Sequence, residues 1–132
     1  MSSQDSPKVT VGFVNCNRLH YLKSCIESFL ESTKDYENKE ILIVDNASIE
    51  EGTPEYLDDL QSRGFTVFRR EKRDPSNEFA LALNTIVENA TGEYLIALQS
   101  DMQFIIKDKW LSEYVNFAKT YEGKVGAITL DA

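Results

Sequence analysis

Three short polar stretches interrupt apolar runs in this chain, and each carries groups able to hold a ligand. Asn15, Cys16 and Asn17 follow "VTVGFV"; Asp45, Asn46, Ala47 and Ser48 follow "ILIV"; Gln99, Ser100 and Asp101 follow "YLIAL". A single carboxylate with an amide and a hydroxyl beside it, as at Asp101, suits a particular task. Mg2+ and Mn2+ keep several waters and need only one or two protein carboxylates when phosphate oxygens complete the shell. Such an ion would arrive together with its ligand. Two commoner phosphate motifs are absent: there is no GxxxxGK[ST], and the turn Asn15-Cys16-Asn17-Arg18 has no glycine for a GxGxxG approach to pyrophosphate. This argues against a P-loop enzyme and against a nicotinamide-binding fold.

The elements that must position these groups follow from periodicity. Residues 8–14 read as a first strand. A helix follows with Leu19, Leu22, Cys25, Ile26, Phe29 and Leu30 at three- and four-residue spacing, and Asn17 is its expected N-cap. Residues 40–44 are apolar in succession from Ile41, as expected of a strand buried on both faces of a parallel sheet. Thr53 and Pro54 read as N-cap and first residue of a short helix to Leu60, and Gly64 leads into a third strand, residues 65–68. Asp74 with Pro75, or Ser76, opens a helix carrying Phe79, Leu83, Ile86, Val87 and Ala90 on one face. Gly92 is its expected left-handed cap. Residues 94–98 form a fourth, buried strand. Trp110, Leu111, Tyr114, Val115, Ala118 and Tyr121 mark a last helix, and residues 125–130 a fifth strand. The aromatic residues of that last helix follow helical spacing, so they read as core before they read as a sugar platform.

Strands alternating with helices predict an α/β fold: an open, mainly parallel sheet with helices on both faces. Ligands bind beyond the carboxyl ends of strands in such sheets, near the point where strand order reverses. All three polar stretches lie at that edge. Composition bounds what the edge can belong to. The 132 residues, 42% apolar, suffice for one domain with one core, and their net charge of −8 repels nucleic acid. No run approaches the ~18 apolar residues of a membrane span, and the polar amino end lacks a signal-peptide core. Cys16 and Cys25 fit neither a disulfide framework nor a metal spacing, so reduced thiols and a cytoplasmic location are expected.

Here the residues carry a resemblance. "VTVGFVNCNRLHYLKSCIESFL" resembles the opening of the family-2 glycosyltransferases of the GT-A fold, a Rossmann-like nucleotide-binding half. "EILIVDNAS" resembles their second strand, and "ALALNTIVENATGEYLIALQSD" the block that leads to their acidic DxD motif. The resemblance covers nearly the whole chain, from about Val9 to Leu130, in order and spacing. Together with the right-handed crossover rule, it implies the strand order 3-2-1-4 with the first strand central. It also implies glycosyl transfer from a nucleotide-diphosphate sugar with Mn2+ or Mg2+ as cofactor. Carried over by position, it has Val14, Asn15 and Asn17 shaping the base pocket and Asp45 and Asn46 contacting a uracil, guanine or thymine edge and its ribose. Arg73 would lie near the diphosphate, Ser100 beside it, and Asp101 on the metal.

The sequence departs from the pattern in three places. Gln99 stands at the motif's first acidic position, so metal binding rests on one carboxylate. "DPSNEF" replaces a glycine-bearing "NxGF"-like turn. The family's further segment, which binds an acceptor glycan or glycolipid and supplies a catalytic base, has no counterpart within residues 1–132. No catalytic residue is therefore assigned, and the chain reads as a single nucleotide-sugar-binding domain cut before that segment. Other readings stand beside these: Asp101 as an ordinary turn residue, Asp45 to Ser48 as a plain strand-to-helix connection, and Arg73 as a solvated loop charge. A nucleotidyltransferase would need a glycine-rich basic loop that "VNCNRL" does not supply. A non-catalytic scaffold that kept the fold is the other alternative.

Overall fold

The computed structural model describes residues 6–100, 103–104 and 109–120. Within them, β1 (Val9–Asn15), α1 (Leu19–Ser32), β2 (Lys39–Asp45), α2 (Thr53–Ser62), β3 (Thr66–Arg69), α3 (Glu78–Asn89), β4 (Tyr94–Gln99) and α4 (Trp110–Thr120) alternate along the chain. The four strands form one sheet in the order β3-β2-β1-β4, every pairing parallel. The expected order and the central place of the first strand are both realised. The expected strand at 125–130, along with Tyr121 and Asp101, lies outside the described residues.

Burial explains the apolar runs. β1 is buried along its whole length and β2 from Ile41 onward, because helices cover both of their faces. On one face Val9, Val11, Phe13, Ile41 and Ile43 meet Leu22, Ile26 and Phe29 of α1, Leu57 and Leu60 of α2, and Trp110 and Leu111 of α4. The other face is smaller: Val14, Leu42 and Val44 pack against Ala82 and Ile86 of α3. Gly12 lets α3 come this close, since a Cβ there would stand 2.6 Å from Ile86 side-chain atoms. Trp110 belongs to the core, with its indole N–H donating to Ser32 Oγ at 3.0 Å. Among the described residues, no helix is long and apolar enough to cross a membrane.

Several expectations need correction. β4 is not buried on both faces: Leu98 is buried, whereas Leu95, Ala97 and Gln99 are exposed among the described residues, because α3 sits over β1 and β2. For the same reason α3 buries Ala82 and Ile86, while Phe79 and Val87 stay exposed. Its start falls at Glu78, since residues 74–77 form a turn in which the Asn77 and Glu78 N–H groups donate to the Asp74 carbonyl. α2 begins one residue early, with Gly52 at the cap position in a left-handed conformation, φ 90°.

Gly92 is also not the left-handed cap; Ala90 ends α3 in an extended conformation. The reason for a glycine at 92 is proximity. A Cβ there would lie 2.7 Å from the Thr10 backbone nitrogen and 2.8 Å from the Lys8 carbonyl oxygen, where β4 enters the sheet beside β1. Backbone cannot yield as a side chain can, so Gly92→Ala is expected to lower stability by about 1–3 kcal/mol. Urea denaturation checks this, and a midpoint equal to the parent's would contradict it.

Candidate functional site

The parallel register brings the three polar strand ends level. Asn15 stands opposite Asp45, and Val14 opposite Gln99, with the Ser100 N–H donating to the Val14 carbonyl at 3.2 Å. The Asn46 N–H in turn donates to the Asn15 carbonyl at 2.8 Å, extending the ladder one step past the strands. Val14, Asn15, Asn17, Asp45, Asn46 and Ser100 are therefore gathered at one edge. Asp101 lies outside the described residues.

Asp45 is 4% exposed. Its Oδ1 accepts from Asn15 Nδ2 at 2.9 Å and from Ser48 Oγ at 2.6 Å, and its Oδ2 from the Ser48 N–H at 3.0 Å. Three of the roughly four acceptor positions of a carboxylate are filled, two by Ser48 of its own loop and one by Asn15 of β1. Asn15 and Asn46, also buried, each keep a side-chain oxygen without a protein donor. Unpaired buried acceptors are costly and uncommon, and here two stand at the end of neighbouring strands.

The first strand-to-helix turn is held by the second. Asn17 is not the N-cap of α1; it and Arg18, the residue at the cap position, both have left-handed backbones, φ 56° and 53°. The Asn17 N–H donates to Ser48 Oγ at 2.6 Å, while Asn17 Oδ1 accepts from the N–H groups of Ile49 and Glu50 at 2.8 and 3.0 Å. Glu50 answers by accepting from the Arg18 and Leu19 N–H groups at 2.8 and 3.0 Å. A helix N-terminus is a natural anion site, and at α1 that place is taken by the chain's own carboxylate. A ligand phosphate must find its counter-charge elsewhere along the edge. Ser48 and Glu50 act from some thirty residues away, so no local pattern around α1 could have revealed them.

Arg73 lies in the loop before α3. Its side chain is 47% exposed and forms a two-point ion pair with Glu78. Burial pushes the Cys16 thiol above its ordinary value, and the Arg73 charge partly opposes this. Neither Cys16 nor Cys25 is in a disulfide, and the Cys25 thiol donates to the Gln99 carbonyl at 3.7 Å. Among the described residues, no three His, Cys, Asp or Glu side chains group as a metal site.

An open parallel sheet with a polar carboxyl edge, no glycine-rich turn and a filled helix N-terminus defines an α/β domain that is neither of the P-loop nor of the dinucleotide type. The sequence matches glycosyl transferase family 2 over residues 10–129, and the chain belongs to that family. It is 31% identical over 116 residues to the uncharacterized protein y4gI of Sinorhizobium fredii, a match that covers 88% of this chain and 12% of that protein. Among solved structures, it is similar to the mannosyltransferase PcManGT from Pyrobaculum calidifontis in complex with GDP-Man and Mn2+, with a TM-score of 0.62 and 26% identity over 76% of this chain and 29% of that one. TarS of S. aureus in complex with UDP-GlcNAc shares the fold, with a TM-score of 0.71 and 16% identity over 95% of this chain and 37% of that one. The chain thus spans well under half the length of these relatives.

Proposed function

We propose that this domain binds a nucleotide-diphosphate sugar donor for glycosyl transfer, with Mn2+ or Mg2+ held by Asp101 and by the donor's own phosphates. The observation that carries the reading is the convergence of the polar ends of β1, β2 and β4 at the ligand edge of a family-2 glycosyltransferase domain. Val14, Asn15 and Asn17 line the base pocket; Asp45 and Asn46 meet the base and ribose; Ser100 and Arg73 face the diphosphate. The metal would neutralise phosphate charge as the sugar departs. The mannosyltransferase complex with GDP-Man and Mn2+ and the TarS complex with UDP-GlcNAc support a sugar nucleotide as ligand.

The chain covers 12%, 29% and 37% of the lengths of these relatives, and the family resemblance assigns the acceptor glycan or glycolipid and the catalytic base to a segment outside residues 1–132, so these residues alone are not expected to transfer sugar. Two thiols outside any disulfide accord with a cytoplasmic setting, and the net charge of −8 accords with a small-molecule ligand rather than nucleic acid. Calorimetric titration with uridine, guanosine and thymidine diphosphates tests the reading. One base is expected to bind more tightly than the other two; no binding of any of them would leave a scaffold domain that has kept the fold.

A further inference from the structure

The Arg73–Glu78 pair is built differently from the other ion pairs on the described surface. Arg73 Nε and Nη2 donate to the two carboxylate oxygens of Glu78 at 2.9 and 2.8 Å. Glu78 is itself anchored: its side chain is 12% exposed and accepts from the Asp74 N–H at 3.2 Å. Arg70 adds a second positive charge close enough to act on Glu78. Two of the five N–H donors of the guanidinium are taken, and three remain in the same plane. Glu78 lies in the "DPSNEF" stretch that replaces the glycine-bearing turn expected from the family resemblance.

We propose that Glu78 is a built-in competitor for phosphate at Arg73, and that it makes the site discriminate between ligands by phosphate charge. The inference rests on the donor-site reading and adds a specificity residue to it. A phosphate that takes the free donors of Arg73 comes to lie near a carboxylate that cannot move away without giving up its anchor. That carboxylate disfavours each extra negative charge on the ligand. In a sugar nucleotide the distal phosphate is esterified and carries one charge, whereas in the free nucleoside diphosphate it ionises a second time near about pH 6. Glu78 therefore weakens the spent nucleotide more than the intact donor, which favours release after transfer.

Glu78→Gln removes the charge and keeps the shape and one acceptor. Arg73 is 47% exposed, so the ion pair is largely screened, and the glutamine amide oxygen can still accept from the Asp74 N–H; the variant is expected to melt close to the parent. The first probe is inorganic pyrophosphate without divalent metal, titrated into the parent, Glu78→Gln and the double variant Arg73→Gln/Glu78→Gln. Glu78→Gln is expected to bind about threefold more tightly than the parent, the size of a unit charge acting across several ångströms of solvated protein, and the double variant to lose the gain. Equal or weaker binding by Glu78→Gln, a gain that survives loss of Arg73, or no pyrophosphate binding by any form overturns the proposal. Uridine and guanosine diphosphates and their sugar conjugates are then titrated into the same proteins. A larger gain for the diphosphates than for the conjugates supports the discrimination, and equal gains overturn it. Failure of every nucleotide while the pyrophosphate series holds removes the donor reading and leaves Glu78 as the competitor at an anion site.

Discussion

Phe29→Ala is expected to lower stability by about 3–5 kcal/mol, a large share of the ~5–15 kcal/mol available to a domain. Phe29 is fully buried in the C-terminal half of α1. Its ring meets Phe13 of β1 edge-on at 5.6 Å between centroids, Phe104 at 5.3 Å and Trp110 of α4 at 6.0 Å. Phe104 and Trp110 stack on each other at 5.3 Å, so the aromatic group ties the sheet to α1 and α4 as one unit. Truncation opens a void walled by rings that cannot collapse without losing these contacts. Leu83→Ala is expected to cost less, because Leu83 is half-buried and the centre of α3 is Ile86. Urea denaturation of both variants measures this; a Phe29→Ala loss below about 1 kcal/mol, or one smaller than that of Leu83→Ala, would contradict the packing described.

The sheet was legible in the sequence because its signals are local and strong. The succession from Ile41 to Val44 is what a strand covered on both faces requires, and the right-handed crossover rule with the family resemblance left one order for the strands. The caps and faces were less legible. Asn17 carries the right side chain for an N-cap, yet its partners are Ile49 and Glu50, and the groups that satisfy the start of α1 come from Ser48 and Glu50. Tertiary contacts between two loops decided this, and helical periodicity does not encode them. Gly92 shows the same limit: the sequence marks a glycine but not whether a positive φ or a close neighbour requires it, and the neighbour was β1. Phe79 and Val87 fit a helical stripe with Leu83 and Ile86, but the strip of sheet under α3 is narrow and takes only part of that stripe. At the ligand edge, residue types identified Asp45 and Asn46 as candidates. The bonds that hold Asp45, and the grip of Glu78 on Arg73, became visible only in three dimensions.

The second large effect concerns the metal. One carboxylate oxygen at Asp101, with the neutral groups of Gln99 and Ser100, scarcely compensates an ion for its lost waters, so the nucleotide-free protein is expected to hold Mn2+ poorly. A nucleoside diphosphate adds anionic oxygens to the same shell. Metal and nucleotide should then tighten each other by one common factor, of the order of tenfold or more, because coupling between two ligands is reciprocal. Gln99→Asp should strengthen metal binding in the absence of nucleotide by adding a second carboxylate. Asp101→Asn should remove the coupling while base selectivity, which the proposed site assigns to Asp45 and Asn46, survives.

Calorimetric titration of the preferred nucleoside diphosphate with and without Mn2+, in the parent and in Asp101→Asn, tests the donor-site account most directly. The account predicts at least about tenfold tighter nucleotide binding with metal in the parent, and equal binding in the two conditions for Asp101→Asn at an unchanged melting temperature. Metal-independent nucleotide binding in the parent, or coupling that persists in Asp101→Asn, would contradict it.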